Sequence, residues 1–343
     1  MASKRRMCIL TDGHLDLYAA KTAVGLLRYC PDEVVAVLDR RHAGEKLETL
    51  VGVGAGIPIV DGIASALAYR PEQLVLGVAS PGGRLPDAWR TVIREALTAG
   101  LDVINGLHVR LNDDMELAAC AAEAGRRIWD VRSCTRIFRV GTGRARQTQA
   151  KRILTVGTDC NLGKRLTAME LARELSRRRF RAPFVPTGQT GVMICGRGVV
   201  VDAVVADFVS GAVEEAVLEH ADADFVVVEG QGGLLHPSYS AVTLGLLHGV
   251  LPDLMILCHA PTRRHMRHTD VPLPPLDEVL RLYEAMLRPI HPGRVVGIAL
   301  NGHGMSEREF QAALDRARAL TGLPVVDPVR TGVAELADAM GAR

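Results

Sequence analysis

Apolar residues along this chain fall into two kinds of stretch. Short unbroken runs alternate with longer segments in which apolar positions recur every three or four residues. The runs at 7–10, 34–38, 58–60, 74–78, 103–104 and 127–131 predict buried strands, and the periodic segments at 15–29, 63–68, 87–99 and 115–124 predict helices between them. A second series follows. Runs at 153–156, 182–185, 199–201, 225–228, 254–258, 295–300 and 325–326 predict strands. Segments at 166–177, 212–220, 276–286 and 306–320 predict helices, with a short one after Asp202 running through Phe208. Strict alternation of this kind implies parallel sheets with crossover helices, an α/β fold whose polar strand-end loops carry the ligands. The stretch 140–150 is rich in Gly, Arg and Gln and has no periodicity. It divides the chain into two parallel-sheet domains, 1–145 and 146–343. The glycines of 51–56 lack a strand–turn–helix setting and predict a mobile loop rather than a dinucleotide clamp.

One strand end stands apart. The run 153–156 leads into Gly157, Thr158, Asp159, Cys160, Asn161, Leu162, Gly163, Lys164 and Arg165, and a helical pattern begins at once. Strand, Gly-rich loop ending in Gly-Lys, and helix form a phosphate cradle. Backbone N–H groups turn inward, the helix N-terminus adds its dipole, and Lys164 adds a full charge. A Gly-rich turn that binds nothing would explain neither the lysine nor its flanks. The usual hydroxyl after the lysine, which holds Mg²⁺, is replaced by Arg165. The next hydroxyl, Thr167, lies about 200° round the helix at 3.6 residues per turn.

Composition narrows the picture. The 343 residues are 48% hydrophobic, enough for two cores, with a net charge of +2 and only 4% aromatics. Neither a basic excess nor base-stacking platforms are present, which argues against a nucleic-acid partner. The seven cysteines are scattered without a Cys-x-x-Cys, so neither a disulfide scaffold nor a zinc site is indicated. The apolar run after Lys4, Arg5 and Arg6 is too short for a signal peptide, and no stretch approaches a membrane span. A cytoplasmic protein with no membrane partner is the expectation.

Other residues at predicted strand ends carry candidate chemistry. Glu229 follows four apolar residues and precedes a Gly-rich turn, where NTPases place their metal-coordinating acid; the alternative is a helix cap. His236, Ser238, Tyr239 and Ser240 follow it, and they supply either a general base or substrate contacts; His236 reads equally as a loop hydrogen-bonder. Gln189 and Thr190 lie in a Gly-bracketed loop suited to close backbone approach. Arg197, between two glycines, suits a carboxylate or phosphate. Cys160, at a helix N-terminus, is a candidate thiolate or a small packing residue. Tyr18 and Lys21 follow strand-end Asp12, and Arg84 lies in a Pro-Gly-Gly loop. Both cations suit an acidic substrate or are ordinary surface charge.

The loop 157–164, the segment Val228-Glu229-Gly230-Gln231-Gly232-Gly233 with Pro237, and Asn301 resemble the corresponding parts of dethiobiotin synthetase and its relatives. Those proteins recognise adenine at the position of Asn301, and carry Thr where Arg165 stands. A broader resemblance covers essentially the whole chain. Asp16-Leu17-Tyr18-Ala19-Ala20-Lys21-Thr22-Ala23, Ser80-Pro81-Gly82-Gly83-Arg84-Leu85-Pro86 and Ile128-Trp129-Asp130-Val131-Arg132 carry part of it. Val185-Pro186-Thr187-Gly188-Gln189-Thr190-Gly191 and His236-Pro237-Ser238-Tyr239-Ser240 carry the rest. Together they resemble the family that contains D-glutamate N-acetyltransferase, which pairs a Rossmann-like N-terminal domain with a P-loop NTPase-like C-terminal domain. The resemblance implies acetyl transfer from acetyl-CoA to the amino group of a small, acidic amino acid, in a homo-oligomeric enzyme. The loop 157–165 would hold CoA phosphates and Asn301 the adenine, with no metal. Glu229 or His236 would take the proton, and Lys21, Arg84, Gln189, Thr190, Arg197, Ser238 and Tyr239 would contact substrate. The alternatives are an ATP- and Mg-dependent kinase- or ligase-like enzyme, and a nucleotide-sensing regulator.

Overall fold

The computed structural model of the protein describes residues 4–17, 19–78, 85–134 and 136–342. The chain divides into two compact units. The first is residues 1–135 with 192–196, and the second is 136–191 with 197–343. Residues 136–145, expected in the first domain, belong to the second. The reason is local: Phe138 is buried in the second unit's core, and the buried carboxylate of Glu214 accepts hydrogen bonds from the backbone N–H of Thr142 and Arg144.

The first unit runs β1 (Met7–Leu10), α1 (Lys21–Tyr29), β2 (Val34–Leu38), α2 (Leu47–Val51), β3 (Ile59–Val60), α3 (Ile63–Ala66), β4 (Gln73–Leu76), α4 (Asp87–Thr98), β5 (Asp102–Asn105), α5 (Met115–Glu123) and β6 (Ile128–Asp130). Its sheet has the order β3-β2-β1-β4-β5-β6, and all its pairings are parallel. The order reverses at β1, as in doubly wound nucleotide-binding folds. Helix α1 begins at Lys21 rather than at residue 15. Gly52, at φ +71°, closes α2 within the stretch expected to be a loop.

The second unit runs β7 (Lys151–Gly157), α6 (Lys164–Arg177), β8 (Phe184–Val185), the start of α7 (Gln189–Cys195, whose residues from 192 on are counted with the first unit), α8 (Val209–Leu218), β9 (Phe225–Val228), α9 (Ser240–Val250), β10 (Leu254–His259), α10 (Leu276–Leu287), β11 (Arg294–Leu300), α11 (Glu307–Thr321), β12 (Val325–Val326) and α12 (Ala334–Ala339). Its sheet is also parallel, in the order β12-β11-β10-β7-β9-β8. Strands β7, β9 and β10 are apolar on both faces because helices cover both sides, which is why they read as unbroken runs. Helix α9 escapes the periodicity because Ser240–Val250 is apolar almost all round. The run 199–201 forms no strand; it leads into a 3₁₀ turn at Val201–Ala203. Helix α11 starts at a capping box, with Ser306 and Glu309 bonding each other's backbone N–H. Among the described residues, no helix is long and apolar enough to cross a membrane.

Candidate active site

The ends of β7, β9, β10 and β11 lie side by side in the second sheet. The loop after β7 is the phosphate cradle. Thr158 N donates to Cys258 O (3.0 Å), and the Tyr283 hydroxyl bridges Gly157 O (2.8 Å) and Leu234 N (3.1 Å). Asn161 at φ +54° and Gly163 at φ +103° turn the chain into α6. That φ suits glycine, which has no Cβ. Lys164 is buried and its ammonium donates to the carbonyls of Asp159 (2.8 Å) and Gly232 (2.7 Å); burial lowers its pKa. Leu162 points into the core beneath the loop, so it offers a ligand only its backbone.

Asp159 ties three strand ends together. Its fully buried carboxylate accepts from Cys160 N (2.6 Å), from the Arg263 guanidinium (2.8 Å) and from Arg267 N (2.8 Å). A carboxylate so engaged positions the cradle and does not bind phosphate itself. His236 stands 3.7 Å from Asp159 Oδ1 and is buried. Its Nδ1 accepts from Ser238 N (3.1 Å), which leaves Nε2 to donate to Arg267 O (3.0 Å). Both ring nitrogens are engaged, so of the two roles expected for His236 the loop hydrogen-bonder fits this geometry and the general base does not. Cys160 sits close by, and Asp159, Cys160 and His236 bring ligand-type atoms within 4.8 Å of one another. The Asp and His donor atoms already hold protein hydrogens or donate, and burial raises the Cys160 thiol's pKa, helped by Asp159. That donor set fits neither a metal nor a thiolate nucleophile.

Removing the carboxylate leaves the Arg263 charge and two backbone donors without it. Asp159→Ala is therefore expected to cost about 3 kcal/mol, or roughly 6–12 °C in the melting of the second unit. Differential scanning calorimetry measures this, and an unchanged transition would show that the carboxylate carries no structure.

Glu229 ends β9 as a buried carboxylate. Its Oε2 accepts from Thr187 N (3.0 Å) and Gly188 N (3.1 Å). A Cβ on Gly191 would stand 2.5 Å from that oxygen, so glycine there lets the start of α7 close over the acid. Burial raises the Glu229 pKa, and the positive charge of Arg165 works against that rise. Arg165 thus acts on the strand-end acid with a fixed positive charge, from the chain position where a hydroxyl would hold a metal. Thr167 faces inward: its hydroxyl donates to Gly163 O (3.0 Å) and accepts from the Cys258 thiol (3.6 Å).

Asn301 lies just past β11, half-buried, where its N–H donates to His259 O (2.8 Å) and its Oδ1 accepts from His303 N (3.1 Å). Gln189 and Thr190 are the first residues of α7, not of a loop, and Thr190 is buried. Ser238 and Tyr239 are exposed before α9. Arg197 is exposed and its charge acts on His220, in the turn that leads into the start of β9 rather than at its end. Lys21 begins α1 in the first unit, and Tyr18 and Arg84 lie outside the described residues. Several contributors have no motif to reveal them. His259 ends β10 with Nδ1 3.0 Å from the Thr158 hydroxyl, and burial, with the Arg263 charge, lowers its pKa to about 4, so the ring is neutral. Arg263, Arg267 and Tyr283 join it. The only sequence signal was the density of Arg and His after β10.

A Rossmann-ordered unit joined to a unit with a phosphate loop and a strand-end acid defines a two-unit α/β protein of the P-loop class. The chain belongs to the DUF1611 family: the family's Rossmann-like domain model matches residues 40–134 and its P-loop domain model matches residues 139–337. It is 38% identical over 330 residues to a protein of Tritonibacter scottomollicae named D-glutamate N-acetyltransferase, covering 95% of this chain and 96% of that one. A protein of the same name from Pseudoalteromonas is 37% identical over 275 residues, 79% of this chain and 82% of that one. The crystal structure of a DUF1611 family protein from Anabaena variabilis superposes with a TM-score of 0.94 at 40% identity, covering 99% of this chain and all of that one. Relatives of this name over most of the chain support its assignment as an N-acetyltransferase.

Proposed function

We propose that the protein moves an acetyl group from acetyl-CoA to the amino group of D-glutamate or a similar small acidic amino acid. The observation that carries this reading is Arg165 in the first turn of α6, directly after Lys164, its charge acting on Glu229. A phosphate loop built this way receives a diphosphate and has a cation where phosphoryl-transfer enzymes need a metal ligand; arginine offers donors only. CoA brings a diphosphate and an adenine but no phosphoryl group to move. The order of strand ends supports the same ligand: Asn301 after β11 for the adenine, the cradle after β7 for the diphosphate, and Glu229 after β9 on the acyl side.

Only a neutral amine attacks a thioester. Glu229 accepts one proton from the substrate ammonium. The nitrogen then bonds to the acetyl carbon while loop N–H groups hold the developing oxyanion. As the C–S bond breaks, the nitrogen releases its second proton. The CoA sulfur leaves as a thiol with one of the two protons, and the other passes to solvent. His236, with both nitrogens engaged, holds the cradle in place.

Acetyl-CoA alone is expected to raise the melting temperature, by an amount corresponding to about 2.7 kcal/mol at a hundredfold excess over Kd. Thiol release with D-glutamate is expected to proceed unchanged in excess EDTA. Strict dependence of turnover on Mg²⁺, or stabilisation by ATP with Mg²⁺ and none by acetyl-CoA, would overturn the reading in favour of ATP chemistry.

A further inference from the structure

The segment after β10 is the most basic short stretch near the cradle: Arg263, Arg264, His265, Met266, Arg267 and His268 in succession. It forms a small hairpin. Met266 N donates to Val271 O (2.8 Å), Leu273 N donates to Arg264 O (2.9 Å), and His265 bridges to Pro272 in antiparallel register. The hairpin is anchored at its base. Met266 is buried, and Arg263 and the Arg267 backbone are both held by the Asp159 carboxylate, while Arg263 also donates to Cys160 O (2.6 Å). Above that base, Arg264 is exposed and its guanidinium has no partner among the described residues. Arg267 donates Nε–H to His268 Nε2 (3.1 Å), which keeps that ring nitrogen an acceptor. Asp270 is the acid on the same hairpin; it is exposed and forms no ion pair with these arginines.

The sheet order gives this cation pair a place. Strand β10 lies between β7, whose loop is the cradle, and β11, which ends at Asn301. Neighbouring strands are about 4.8 Å apart. A ligand with its diphosphate over β7 and its adenine over β11 lays its ribose across the end of β10, where the hairpin stands. We infer that Arg264 and Arg267 form a second anion subsite, which takes a phosphomonoester on the ribose of the bound nucleotide. On the acetyl-CoA reading, on which this inference rests, that group is the 3′-phosphate. The hairpin would then distinguish CoA from nucleotides that lack it.

Titration calorimetry on the full chain, with CoA and with 3′-dephospho-CoA as probes, tests the inference. The unsubstituted protein should bind CoA about tenfold or more tightly than dephospho-CoA, a charge-assisted bidentate contact being worth at least ~1.4 kcal/mol. In Arg264→Ala/Arg267→Ala the CoA affinity should fall to that of dephospho-CoA, whose own affinity should not change. Neither guanidinium takes part in the bonds that anchor the base, and a melting curve checks that the variant is folded. Arg264→Lys, which keeps the charge, should restore part of the difference when set in the Arg267→Ala background. Equal affinity of the unsubstituted protein for the two probes would overturn the subsite alone. So would parallel loss of both in the double variant. Failure of both probes to bind at all would overturn the acetyl-CoA reading, and the subsite with it.

Discussion

Glu229→Gln is expected to lower kcat for acetyl transfer by about 10²–10⁴-fold near neutral pH and to leave acetyl-CoA affinity almost unchanged. The substitution is close to isosteric. A glutamine oxygen can still accept from Thr187 N and Gly188 N, so the close approach of α7 is kept. What is lost is the carboxylate proposed to accept the proton. Burial holds the Glu229 pKa above the usual carboxylate range, and Arg165 and the two backbone donors keep it from rising further. Since only the ionised acid is a base, kcat of the unsubstituted enzyme rises with pH through that raised pKa. In the variant the rate follows the neutral fraction of the substrate amine, which grows tenfold per pH unit below the amine's pKa. The deficit should therefore shrink as pH rises. Stopped-flow or steady-state thiol release between pH 6 and 10, roughly the span over which an amine deprotonates, reads both limbs. A deficit equal at every pH would show that Glu229 shapes the site without taking a proton, and an unchanged kcat would remove it from the reaction.

Lys164→Met is expected to weaken acetyl-CoA and CoA binding by about a hundredfold, or ~2.7 kcal/mol, the loss of one or two charge-assisted contacts to a diphosphate. Methionine keeps most of the buried stem, so the change is confined to the ammonium. That ammonium rests on the carbonyls of Asp159 and Gly232. Burial already disfavours its charge, so it gains from an incoming anion. Titration calorimetry of the variant, beside a melting curve to confirm folding, measures the effect. Undiminished affinity would exclude Lys164 from the phosphate site. The size of the loss also separates it from the hairpin arginines. On the proposed reading Lys164 acts on the diphosphate, and its loss should weaken CoA and dephospho-CoA alike, whereas Arg264 and Arg267 should act on CoA alone.

Much of this protein was legible from local pattern. Unbroken apolar runs such as Phe225–Val228 and Leu254–His259 mark strands buried on both faces. Alternation with amphipathic segments implies parallel sheets, and Gly163-Lys164 after the run 153–156 marks the cradle, because these depend on neighbours in sequence. Elements whose stability comes from packing were not legible. Helix α9 is apolar on nearly every side and has no period to read, and the start of α7 is helical because it closes on the buried acid Glu229.

The roles of individual side chains depended still more on contacts far apart in the chain. Asp159 looked like a loop residue facing the ligand, yet its carboxylate holds Arg263 and Arg267 more than a hundred positions away. His236 read equally as a base or a loop hydrogen-bonder, and the bonds to Ser238 and Arg267 at its two nitrogens decide for the second. Arg197 had the right charge and glycine neighbours but acts on His220, before the start of β9. A motif specifies residue types and the local backbone. Which lone pair is free, which cation meets which acid, and which charges cluster at one strand end follow from the order β12-β11-β10-β7-β9-β8, which brings together loops that the sequence keeps apart.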